Sequence, residues 1–253
     1  MKNILRQIIA EEIKSFPLRE GVQTRWGEPL IGFADACDRR FLELKTIVSP
    51  SHALPQDILP GARTVIAYFI PFENKIARSN FEGQYSSREW AVAYIETNQL
   101  IAGINERIYQ ACSELGYQSS IIPATHNFDQ ERLISDWSHR HVAYLAGLGK
   151  FGLNNMLITA KGCCGRIGSV VTNIMIEPDP VTDNEYCLYK AKGTCKKCIE
   201  RCAGKALQID HFDRKKCYGI LLENDKRFPD LGLADVCGKC VVNLPCTFTN
   251  PVK

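Results

Sequence analysis

The residues most able to do chemistry are cysteines. Of twelve, Cys37, Cys112, Cys163 and Cys164 are spread over the first two thirds of the chain, whereas Cys187, Cys195, Cys198, Cys202, Cys217, Cys237, Cys240 and Cys246 crowd its end. Eight thiols is the number needed for two four-thiolate sites. CKKCIERC, from Cys195 through Cys198 to Cys202, reproduces the second to fourth positions of the run C-x2-C-x2-C-x3-C, in which the fourth cysteine ligates the other of two iron–sulfur clusters. CGKC, Cys237 to Cys240, is a second tight pair, and Cys217 and Cys246 complete the count. Cuboidal clusters bind soft thiolates, and two-residue gaps let successive sulfurs turn inward while backbone N–H groups face the anionic core. Two structural zinc sites would use the same C-x2-C pairs and stay open on spacing alone. The offset of Cys202 and the total of eight favour two [4Fe-4S] clusters.

GLGKFG, with Gly147, Gly149 and Gly152, matches G-x-G-x-x-G, but a helical pattern precedes it and the strand-like run MLITA follows. A dinucleotide fingerprint needs the opposite order, so that a helix N-terminus meets the pyrophosphate. Two readings remain: a helix C-cap and turn with no ligand, or a backbone kept bare so that a large flat or anionic cofactor can approach. Cys163 and Cys164, a vicinal pair in KGCCGRIG, read as structural, since nothing nearby obviously lowers a thiol pKa.

The elements that must position these residues are partly legible. TVIAYFI, Thr64 to Ile70, reads as a buried strand. From about Trp90 to Gly116, Leu100, Ile101, Ile104, Ile108, Cys112 and Leu115 share one face of an amphipathic helix that ends at a glycine, with Cys112 in the core. A short strand is expected near Ser120 to Pro123 and a helix from Asp136 to Leu145. MLITA and SVVTNIMI follow as two strands joined by a loop. IEPDPVTDN, residues 176–184, changes composition and marks the expected boundary between a unit of residues 1–178 and one of residues 179–253.

Ile4, Ile8, Ile9 and Ile13 make a helical stripe at the N-terminus, and the acids among them spoil it as a signal peptide. No stretch approaches the roughly 20 apolar residues of a membrane span. A cytoplasmic protein without a membrane partner is expected, in which a disulfide framework would be out of place. The net charge of +3 does not point to nucleic acid, and the basic residues between Lys190 and Lys216 read as a solvated face.

AGLGKFGLNNMLIT, GCCGRIGSVVTN, the cysteine run, KKCYGILLEN and VCGKCVVNLPC, with LPGARTVIAYFIPF upstream, together resemble epoxyqueuosine reductases and, more distantly, reductive dehalogenases. The resemblance implies an α+β fold: a nitroreductase-like domain holding cobalamin base-off, followed by a ferredoxin-like two-cluster module. It implies that Cys187, Cys195, Cys198 and Cys246 hold an outer cluster and that Cys202, Cys217, Cys237 and Cys240 hold an inner one beside the corrin. Gly147, Gly149, Gly152 and Asn154 match the segment that lines the corrin. An external donor such as a ferredoxin or flavodoxin would supply electrons, and a small molecule or a corrinoid would be the further partner.

The sequence departs from the family pattern in three places. Seven residues separate Cys187 from Cys195 and five separate Cys240 from Cys246, where the pattern has two and three. Proline is missing after Cys202 and Cys246. The family's acidic proton donor is not in register within IIPATHNFDQERLISDWSHRH. Asp136 and Tyr94 are the candidate catalytic substitutes, with Asp129 and His126 behind them; Asp136 also sits where a helix N-cap belongs. His139 and His141 lie two apart on a helix and do not share a face. The chain stops shortly after Cys246 without the helical repeats that help hold tRNA, so tRNA is not the expected substrate. The leading expectation is a corrinoid iron–sulfur reductase. A cobalamin-handling or cobalamin-reducing protein without its own turnover, and a ferredoxin-like carrier whose large domain binds flavin or nothing, are the alternatives.

Overall fold

The computed structural model describes residues 1–126 and 128–252. The first part of the chain runs α1 (Lys2–Ser15), β1 (Leu30–Asp35), α2 (Arg40–Ile47), the single turn α3 (Pro55–Ile58), β2 (Thr64–Pro71), α4 (Asn74–Ser79) and α5 (Arg88–Glu114). Then come β3 (Phe128–Asp129), β4 (Ile134–Ser135), α6 (His139–Leu145), β5 (Gly149–Phe151), β6 (Leu157–Thr159) and β7 (Gly165–Thr172). Three helices close the chain: α7 (Leu188–Lys192), α8 (Lys197–Glu200) and α9 (Arg214–Arg227).

β2 is the centre of an antiparallel sheet of order β1-β2-β7 and is buried along its whole length. A strand's side chains alternate faces. Ile66, Tyr68 and Ile70 accordingly pack with Ile9 of α1 and with Leu100, Ile104 and Ile108 of α5. Val65, Ala67 and Phe69 pack with Phe41 of α2 and with Val142 and Leu145 of α6. Helices thus cover both faces, which is why TVIAYFI is continuously apolar rather than alternating. α5 begins where Ser87 caps the Trp90 N–H and ends just before Gly116, whose φ of +77° suits glycine.

Several expected elements are displaced. Residues 120–123 form no strand; only Ser119 bridges Thr172, and Pro123 has no N–H to extend a ladder. α6 starts three residues later than Asp136, because Ser135 and Trp137 form a local hydrogen-bonded turn first. MLITA and the first half of SVVTNIMI do lie in two strands joined by a loop, β6 and β7, but β7 starts at Gly165 and ends at Thr172. β6 makes a hairpin with β5, and β7 joins β2. The intervening loop is tied instead to the chain end, where Cys163 N donates to Cys246 O (2.9 Å) and Cys164 N to Thr247 O (3.1 Å).

The cysteine-rich segment wraps back on the sheet-bearing part. Asn80 Nδ2 donates to Cys237 O (2.8 Å), Arg201 Nη2 to Phe81 O (2.7 Å) and Asn154 Nδ2 to Cys240 O (2.8 Å). Lys239, 2% exposed, donates its ammonium to Asn80 O (3.0 Å) and Glu82 O (2.6 Å). Gly238 has φ +72°, and a Cβ there would overlap the Trp90 indole. Among the described residues no helix is long and apolar enough to cross a membrane.

Candidate functional site

Two sets of four cysteines gather in space. Cys187 precedes α7, Cys195 lies in the turn before α8, Cys198 is on α8, and Cys246 comes from the chain end; all four line one narrow cavity with Leu153, Ile158 and Leu244. Burial pushes the Cys198 thiol up to about 12, reinforced by the neighbouring Cys246, Cys187 and Cys195. Cys163, outside this set, lies with its sulfur 3.9 Å from that of Cys246. Its S–H donates there, which holds the Cys163 proton in place and lowers Cys246.

The second set is Cys202, Cys217 of α9, Cys237 and Cys240. Burial, with Cys237 and Cys202 adding and Arg140 opposing, pushes Cys217 up to about 11. Burial raises Cys240 further, with Cys237, Cys217, Cys202 and the first set's Cys198 contributing. Each set thus brings four cysteines to one cavity, and burial there favours the protonated form of Cys198 in the first and of Cys217 in the second. Among the described residues no group of three or more His, Cys, Asp or Glu is arranged to hold a single metal ion.

The second set opens on a cavity of about 420 Å³ that runs between the cysteine segment and the sheet-bearing part. Phe72, Trp90, Phe128 and Met156 supply apolar wall, and Tyr94, Arg140, Arg166 and Asp235 the polar groups. The Tyr94 hydroxyl donates to Asp235 Oδ1 (2.7 Å) and lies 3.3 Å from His126 Nε2, which is 3.4 Å from the same carboxylate oxygen. The Arg166 guanidinium stacks 4.5 Å from the centre of the Tyr94 ring. Burial raises the Tyr94 pKa, the cation of Arg166 opposing, so the phenol is protonated at neutral pH. Two buried donors lining the cavity, Trp90 Nε1 and Arg166 Nε, have no hydrogen-bond partner among the described residues. Each costs about 1–3 kcal/mol until a ligand or solvent accepts from it. The cavity's volume, its apolar wall and the four cysteines at one side leave room for a large apolar ligand held against the second cysteine set.

Of the two catalytic candidates, Tyr94 is in this cavity and Asp136 is not: Asp136 accepts from Ser51 Oγ (2.6 Å) beside α2. Asp129 pairs with Arg132 on the surface. His139 is held between Ser169 Oγ (2.8 Å) and Pro123 O (2.9 Å), and burial lowers its pKa to about 4. His141 bonds Ser138 instead.

Asn154 lines both cavities. Gly147, Gly149 and Gly152 line neither; the space their missing Cβ atoms leave is filled by Pro180 O, Ile158 O and the Asn154 side chain respectively. Chain packing therefore accounts for these three glycines without a ligand. Sequence reasoning passed over Arg166, Trp90, Asp235 and Lys239. Asp235, two residues before Cys237, Lys239, inside CGKC, and Arg166, inside GCCGRIG, carried a local signal, a charge beside or within a motif; Trp90 carried none.

This mixed helix-and-strand fold is similar to the folds of epoxyqueuosine reductases and reductive dehalogenases. In sequence, the chain is 28% identical over 185 residues to an epoxyqueuosine reductase of Bacillus cereus, a match covering 70% of this chain and 44% of that protein. The structure of epoxyqueuosine reductase from Bacillus subtilis superposes with a TM-score of 0.53 at 20% identity, over 97% of this chain and 66% of that one. A reductive dehalogenase described as acting by B12-dependent dehalogenation superposes at 0.51 and 17% identity, over 90% and 30%. The resemblance read from the sequence is thus borne out, while the chain spans less than half the length of the curated relative. No protein-family profile matches it.

Proposed function

We propose that the protein is a corrinoid-dependent iron–sulfur reductase acting on a small substrate. Residues 1–178 would hold the corrinoid and residues 179–253 two [4Fe-4S] clusters. Cys187, Cys195, Cys198 and Cys246 would ligate the outer cluster, and Cys202, Cys217, Cys237 and Cys240 the inner one. The observation that carries this reading is the convergence, in one cavity, of four cysteines, apolar walls and a protonated acid. When bound, the clusters would carry single electrons and the corrinoid would bring a low-valent cobalt able to reduce an organic substrate.

The chain's own residues have definite parts in this reading. Tyr94 is the proton donor: its phenol is neutral, its O–H rests on Asp235 Oδ1 until it turns to a substrate in the cavity, and the Arg166 cation stacked on its ring favours the phenolate left behind, against the nearby carboxylate. A positioned acid of this kind contributes about 10² to 10⁴ in rate. His126, more exposed than the other two, is placed to return the proton from solvent. This acid favours substrate turnover over a role confined to carrying electrons.

The test is titration of anaerobic, cluster-loaded protein with cob(II)alamin, followed by electron paramagnetic resonance. A base-off signal saturating near one equivalent is expected. Cluster-loaded protein that binds no cobalamin would return the chain to a simple electron carrier.

A further inference from the structure

The stretch from Leu188 to Lys205 carries six Lys and Arg against one acid, Glu200, so its charge exceeds the +3 of the whole chain and the remainder is net negative. Arg201 is committed to Phe81 O and Lys239 O. The other five, Lys190, Lys192, Lys196, Lys197 and Lys205, are exposed, and among the described residues none is in an ion pair. Four of them are interleaved with the outer cysteines: Lys190 and Lys192 follow Cys187 on α7, and Lys196 and Lys197 fill the gap between Cys195 and Cys198. Lys196 leans over the ring of Tyr189, 5.8 Å from its centre. This collar of unpaired ammonium groups surrounds the cysteine set farther from the catalytic cavity, where Cys195 is half-buried.

We infer that this lysine collar is the docking surface for an acidic one-electron carrier protein, which delivers electrons at the outer cysteine set. The inference rests on the cluster assignment proposed above. The transfer moves one electron from the carrier, oxidised by one, to the outer centre, reduced by one; no bond breaks and no proton is required. Charge complementarity accelerates such encounters by about 10- to 1000-fold and fades as salt screens it. A small acidic protein fits better than a nucleic acid. The patch is confined to one loop and two short helices, and the net-negative remainder of the chain would repel an extended polyanion.

The experiment compares reduction of the cluster-loaded protein by reduced flavodoxin and by dithionite, followed by bleaching of the visible absorbance in a stopped-flow instrument. The variants are Lys196→Glu/Lys197→Glu and, farther from any ligand, Lys190→Glu/Lys192→Glu. Each should slow reduction by flavodoxin about tenfold or more at low ionic strength, leave dithionite reduction unchanged, and flatten the salt dependence. Unchanged flavodoxin rates with intact dithionite bleaching would overturn the docking surface and leave the cluster assignment standing. The same holds if the variants lose binding to a tRNA stem-loop while their flavodoxin rates stay at the parent value. Parent protein that shows no dithionite-bleachable absorbance would instead remove the cluster assignment on which the inference rests.

Discussion

Replacing Lys239 with methionine should cost both stability and reduction potential. The ammonium is buried and donates to two backbone carbonyls, those of Asn80 and Glu82, so it fastens the CGKC loop to the segment after α4. Charge-assisted hydrogen bonds contribute about 1.5–3 kcal/mol each, and removing the donor leaves two carbonyls unpaired. Against this stands relief from burying a cation, the effect that lowers the Lys239 pKa. The net loss should be about 2–4 kcal/mol, or roughly 5–15 °C in thermal midpoint for a chain of this size. Lys239 also lies beside Cys237, whose thiolate it favours. Losing that positive charge makes an added electron less welcome, so the inner centre's midpoint potential should fall and the outer one should hold. Thermal unfolding by circular dichroism and an anaerobic potentiometric titration read the two effects separately. Lys239→Arg should keep the potential even if packing suffers. A methionine variant with parental stability and parental potentials would refute the reasoning.

Cys195→Ser should impair chiefly one spectroscopic cluster and Cys217→Ser the other, because their sulfurs line different cavities; loss of the same signal in both would break the proposed pairing. Gly149→Ala should yield little folded protein, since its Cβ would overlap Ile158 O in the β5–β6 hairpin; normal yield and thermal midpoint would count against the close approach. His139 has a folded pKa of about 4 against an ordinary value of 6.5, so its neutral form is favoured by folding. That contribution, at most about 3 kcal/mol, is present above pH 6.5 and is lost as the pH falls toward 4. His139→Gln should therefore show a flatter fall in thermal midpoint over that window, whereas parallel curves would mean that His139 protonates freely.

The central strand and the long helix were legible because a run of β-branched and aromatic residues and a stripe at helical spacing each state a burial pattern directly. Tyr94 was legible only as one of several acids near a missing aspartate. Its partner Asp235 lies 141 residues away in sequence, and no local spacing reports such a pair. The glycines were legible as points of close approach, but a bare backbone does not report whether the neighbour is a cofactor or, as at Gly149, the carbonyl of Ile158. MLITA and SVVTNIMI were legible as two strands joined by a loop, but not their partners, which lie elsewhere in the sequence: β6 pairs with β5 and β7 with β2. The lysines around the outer cysteines looked like an ordinary solvated face until their interleaving with one thiolate set gave them a position.

The claim that the eight late cysteines form two iron–sulfur centres, one of them flooring the cavity, is tested most directly by elemental analysis of anaerobically prepared protein. Each four-thiolate set should hold a [4Fe-4S] cluster, giving about eight irons and eight acid-labile sulfides per chain. Stoichiometric zinc with negligible iron and sulfide would contradict it.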